Sequence, residues 1–79
     1  MSSFKFRFRD RDGAVASHES YEFSDLFAAI AEAKRVLGEM ALEGLPAQSD
    51  EVLAVEVLNA GGIPVARVGL TITVDFLAA

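Results

Sequence analysis

Phe4-Lys5-Phe6-Arg7-Phe8-Arg9 is the stretch that decides how this chain folds. Aromatic and basic residues alternate without a break, and a period of two marks a strand with one face in a core and the other in water. The three phenylalanines therefore face inward, and Lys5, Arg7 and Arg9 face out. Asp10-Arg11-Asp12-Gly13 follows, and its Asp-Gly step predicts a hairpin turn because glycine tolerates positive φ. The chain then returns as a second strand from Ala14 to Ser17, reaching as far as Phe23, interrupted or bulged at the polar His18-Glu19-Ser20.

Beyond this hairpin the period changes. Ser24 reads as a helix N-cap, with Asp25 in the first turn suited to the helix dipole and Phe23 stapling against Ala28. Leu26, Ala29, Ile30, Ala33, Val36, Leu37, Met40 and Ala41 share one helical face. Asp25, Glu32, Arg35, Glu39 and Glu43 occupy the other, where Glu32–Arg35 and Arg35–Glu39 have ion-pair spacing. Gly44 and Pro46 end the helix. A loop leads to a third strand in which Leu53, Val55 and Val57 oppose Ala54 and Glu56. Asn59-Ala60-Gly61-Gly62 is a turn by composition. The last strand spans about Pro64 to Phe76, with a bulge near Ala66 because Val65 is out of phase with Val68, Leu70, Ile72, Val74 and Phe76.

The expected fold is α+β: a four-stranded sheet in β-β-α-β-β order with one amphipathic helix packed on one face. Seventy-nine residues make a single domain, residues 1–79, with 1–3 and 77–79 as flexible ends. A helix between strands two and three carries the chain back across the sheet, so those strands should run parallel, with a right-handed crossover. The sheet's other face then carries Lys5, Arg7, Arg9, Glu56, Arg67, Thr71 and Thr73, and these form the candidate interaction face.

Composition narrows the chemistry. Hydrophobic residues make up 52% of the chain, enough apolar area to offset chain entropy and argue against disorder. There are no cysteines, which removes disulfides, thiolate zinc sites, iron–sulfur clusters and cysteine nucleophiles, and points to a reducing, cytoplasmic setting. Neither a signal peptide nor an apolar run of membrane-spanning length is expected. The net charge of −5 works against general nucleic-acid binding, because each phosphate contact needs a cation. Yet Lys5, Arg7, Arg9 and Arg11 place four of the seven basic residues within seven positions.

The pattern resembles a family of small uncharacterised domains, a domain of unknown function common in alphaproteobacteria. The residues that carry the resemblance are the aromatic first strand, the turn Asp10-Arg11-Asp12-Gly13, the run Glu22-Phe23-Ser24-Asp25-Leu26 into Ala28-Ala29-Ile30-Ala31-Glu32-Ala33, and the hairpin Val57-Leu58-Asn59-Ala60-Gly61-Gly62. It spans roughly residues 4–70. It implies the β-β-α-β-β fold and a bacterial source, and it brings no catalytic residues.

Other candidate sites read as ordinary structure. His18, the single histidine, has no recognisable second ligand or nucleophile and reads as a solvated loop residue. Asp10, Asp12 and Glu19 lack the spacing of a calcium loop. Gly61-Gly62 precedes no helix and is not a phosphate loop. Strict alternation also puts the phenylalanines and the arginines on opposite faces, which argues against base stacking beside phosphate contacts. No cofactor and no metal are expected. Leu42, Val52, Leu58, Phe76 and Leu77 are expected to form an apolar patch covered in a homodimer. Leu77-Ala78-Ala79 resembles the ending of the tag bacteria add to stalled translation products, but reads as a short tail. The expected function is a non-enzymatic protein-interaction or oligomerisation module, with an antitoxin-like regulatory protein as the alternative.

Overall fold

The computed structural model describes residues 1–10, 13–16, 19–45 and 51–78. In chain order these form β1 (Ser2–Asp10), β2 (Gly13–Ala16), β3 (Tyr21–Phe23), α1 (Leu26–Leu42), β4 (Val52–Leu58) and β5 (Pro64–Thr71). The sheet runs β2-β1-β4-β5, and β3 pairs with β1 beyond β2. The fold is α+β, as the alternation and the helical face require. His18, Arg11, Asp12, Pro46 and Ala79 lie outside the described residues.

The expected order stands with one correction: the sheet has five strands among the described residues, because the returning strand is two. β2 pairs Arg7 with Ala16, and β3 resumes by pairing Phe4 with Tyr21. Between these two pairings only Lys5 and Phe6 of β1 remain, so the second pairing does not continue the register of the first. Of the interruption expected at His18-Glu19-Ser20, Glu19 and Ser20 lie outside both strands and His18 lies outside the described residues. All pairings are antiparallel, so β2, β3 and β4 share one direction, as the crossover requires, but β1 lies between them.

The helix start is also shifted. Asp25, in extended backbone, is the N-cap: its Oδ1 accepts from the Ala28 N–H at 2.9 Å. Ser24 thus stands one residue outside the cap, and Phe23 packs against the core. At the far end Gly44, with φ of 89°, donates to the Ala41 carbonyl while Leu45 donates to that of Met40. That pair of bonds is a Schellman stop, and only a residue without Cβ enters it freely.

Ala29, Ala33 and Leu37 bury the inner face of α1 against Leu53, Val55 and Val57 of β4 and Phe4 of β1. Phe6, Phe8 and Phe23 complete it more openly. Phe23 meets Phe4 at 6.2 Å and Phe6 at 5.9 Å between ring centres, the second edge-on. At the β4–β5 hairpin, Asn59 Oδ1 accepts from Gly61 and Ile63, and Gly62 takes φ of 79°. The register slips there, with Val57 opposite Ala66 but Leu58 opposite Pro64, so Val65 is the bulged residue.

Two further expectations need correction. β5 ends at Thr71 rather than Phe76, because its partner β4 begins at Val52 and no ladder extends beyond that pair among the described residues. Leu58 does not join an exposed patch. It faces away from α1 but is buried, flanked in register by Lys5 and Pro64. Leu42, Val52, Phe76 and Leu77 are exposed as expected.

Candidate functional site

Strand register builds the site on the sheet face opposite α1. Arg7 on β1 stands directly across from Glu56 on β4, which stands across from Arg67 on β5. Arg9 is one pleat further along β1, opposite Ala54, and reaches Glu56 diagonally. Glu56 Oε1 accepts from Arg7 Nε at 2.8 Å and from Arg9 Nε, and its Oε2 accepts from an Arg67 terminal nitrogen at 3.1 Å. Three guanidiniums so close to one another call for an anion between them, and Glu56 supplies it.

Glu56 is the one charged side chain buried among the described residues, at 5% exposure. What covers it is not the apolar core but the arginines themselves, whose stems lie along the sheet. Hydrogen bonds from Arg7, then Arg9 and, less strongly, Arg67 hold its carboxyl down at about 2, against the burial that pushes it up. The carboxylate is thus fixed as an anion throughout the neutral range. Three guanidiniums against one carboxylate leave the row at a net charge of +2.

The arginines are not used up by this pairing. Arg7 and Arg9 engage Glu56 through Nε alone, and among the described residues their terminal nitrogens make no other hydrogen bond. Arg67 is the most open of the three, with 64% of its side chain exposed. Lys5 lies on the same face one pleat from Arg7, opposite Leu58. Thr71 is exposed at the end of β5, and Thr73 lies past the strand, off the sheet. Of the seven residues assigned to this face from the sequence, four converge, Lys5 and Thr71 flank them, and Thr73 stands apart.

A second concavity was not legible in the sequence. Phe6, Phe8, Val15 and Val55 floor a groove of about 660 Å³ between α1 and the β2–β3 edge, with Glu22, Glu32 and Arg35 at its rim. Its cause is dimensional. A helix is about 10 Å wide, while four strands spaced ~4.8 Å apart make a broader layer, so α1 covers one half only. Arg35 is clasped by Glu32 and by Glu39, as their spacing predicts. Its hydrogen bond, more than its charge, lowers the Glu32 carboxyl below its ordinary range. Among the described residues no three His, Cys, Asp or Glu side chains come together as a metal site.

A family model described as a domain of unknown function (DUF6894) matches residues 3–71, all of the sheet but one terminal strand residue and the whole helix. The chain belongs to this family, which agrees with the resemblance carried by the first strand, the helix entry and the last hairpin. Neither the curated proteins nor the solved structures hold a match to it. No helix among the described residues is long and apolar enough to cross a membrane.

Proposed function

We propose that this member of the DUF6894 family is a non-enzymatic interaction module whose open sheet face receives an acidic segment of a protein partner. The observation that carries the reading is the pair of uncommitted guanidinium ends on Arg7 and Arg9, held side by side by Glu56. Guanidinium forks match carboxylates with two parallel hydrogen bonds, and here their direction is fixed in advance, which lowers the entropy lost on binding. Arg67 and Lys5 widen the same field.

A protein partner suits this face better than a nucleic acid, because the aromatics that would stack bases lie on the other side of the sheet from the arginines. The module is assigned to a reducing cytosol, in keeping with a small chain that holds together with no disulfide.

The test is fluorescence anisotropy with a labelled eight-residue peptide of alternating Glu and Ser, run against an eight-residue oligothymidine. Saturable peptide binding that weakens with salt, and weakens at least tenfold in the Lys5→Ser/Arg7→Ser/Arg9→Ser variant, supports the reading. Equal binding by the variant, or tighter binding of the oligonucleotide, refutes it.

A further inference from the structure

The helix side of the sheet is finished over one half only. α1 lies mainly over β4 and β5. Over β1 and β2 the apolar floor of Phe6, Phe8 and Val15 stays open, and Val15 leaves 72% of its surface in water. β2 is also an edge strand, so its outer backbone groups have no ladder among the described residues.

The opposite edge of the molecule has the converse surplus. β5 loses its partner after Thr71, yet the alternation continues: Ile72, Val74 and Phe76 keep the phase of Val68 and Leu70, with Thr73 and Asp75 between them. Val74 and Phe76 are exposed, Phe76 at 95%. The segment after β5 therefore carries an alternating apolar row with no ladder partner among the described residues, and the groove is an edge whose apolar floor no described residue closes over.

We propose that residues 72–77 of one copy lie along the outer edge of β2 in a second copy, with the apolar row turned into the groove, and that the exchange is reciprocal. The chain's own tail is poorly placed for this role. β5 is three strand spacings from β2, roughly 14 Å, at the other edge of the sheet. The molecule is 54 Å long against 24 and 19 Å in its other directions. An eight-residue strand supplies only about 27 Å of that length, which accords with a segment after it that continues outward instead of folding back to its own groove.

Charge favours the same occupant. With Ile72, Val74 and Phe76 facing the groove, Asp75 falls on the face that carries Arg9. The β2 residue paired with Arg9 is Ala14, whose single methyl is too short to stand between them. Area favours it too. A buried phenylalanine alone removes ~150–250 Å² from water, and reciprocal exchange doubles every contact, moving the total toward the ~1,200 Å² at which stable interfaces begin. The inference is independent of the acidic-partner reading and shares only Arg9 with it.

The chain has no cysteine, so introduced thiols report without background. Val15→Cys and Phe76→Cys are made in separate full-length chains, mixed at micromolar concentration and oxidised. The mixed disulfide pair is expected in several-fold excess over either chain paired with itself, and Val74→Asp in the Phe76→Cys chain abolishes it. In sedimentation the unaltered chain runs at twice its 8.4 kDa mass, and Val74→Asp/Phe76→Asp runs at once that mass, still unfolds cooperatively and has a melting temperature that no longer depends on concentration. A monomeric unaltered chain at 100 μM overturns the proposal. So does a dimer that survives Val74→Asp/Phe76→Asp, which would place the contact elsewhere. So does a doubly substituted Val15→Cys/Phe76→Cys chain that closes on itself, which would make the tail its own occupant. None of these outcomes alters the anisotropy result on the basic face.

Discussion

β4 is buried on both of its faces, and the two covers are made of different matter. Leu53, Val55 and Val57 lie under Ala29, Ala33 and Leu37 of α1, in contacts that are dry and that scale with area. Ala54, Glu56 and Leu58 lie beside Arg9, Arg7 and Lys5 of β1 and beside Gly69, Arg67 and Pro64 of β5, and the bonds gathered at Glu56 are between charges. The same strand thus reaches near-complete burial once by exclusion of water and once by neutralisation. The difference matters for function, because an apolar cover is closed to partners while a charged cover remains a recognition surface. It also matters for stability: the first cover should be indifferent to pH and salt, and the second should not.

The largest expected effect is on the dry side. Leu37→Ala empties a buried site and should cost ~2–5 kcal/mol, a large part of the ~4–12 kcal/mol that a domain of this length holds. Thermal unfolding followed by circular dichroism would register this as a fall of roughly 10 °C or more, equal at low and high salt. A drop that salt reverses would mean the apolar cover is not what holds α1 down.

Next comes the charged side. The Glu56 carboxyl sits at about 2 in the folded chain against 4.5 when unperturbed. Its contribution is therefore complete above pH 4.5 and drains away as pH falls from there toward 2. Glu56→Gln should lower the melting temperature at pH 7, flatten the loss between pH 4.5 and 2, and recover part of the deficit in 1 M salt as the three guanidiniums are screened from one another. Parallel acid profiles for the two proteins would contradict the cluster.

Asp25→Ala removes the cap that fixes the start of α1 and should cost about 1 kcal/mol by denaturant titration. The smallest effect belongs to Arg67→Ala. Its exposed pairing should be worth at most ~0.5 kcal/mol, so stability stays nearly level while affinity for the acidic peptide falls.

Most of the architecture was legible because it rests on periodicity. The strict alternation from Phe4 to Arg9 fixes which way each side chain of β1 points, and the apolar face from Leu26 to Ala41 fixes α1. The basic row was legible for the same reason, and Glu56 with it, since both lie on strands of known phase. Boundaries were less so. Ser24 and Asp25 are equally good caps, and only the geometry of the Phe23 entry decides between them. β5 was read too long because alternation continues past Thr71, and a sequence does not say where a partner strand begins. The burial of Leu58 depends on its neighbours across the ladder, Lys5 and Pro64, and hence on a strand order that no local pattern encodes. The groove was missed because it comes from the width of the sheet relative to one helix.

The arginine row is an organised surface only if Glu56 stays ionised beneath it. Carbon-detected magnetic resonance of the Glu56 carboxyl, titrated from pH 7 to pH 1.5, measures this directly. A midpoint near 2, lost when Arg7 and Arg9 are replaced by serine, is the predicted result. A midpoint near 4.5 in the unaltered chain would mean that no guanidiniums are gathered on that carboxylate.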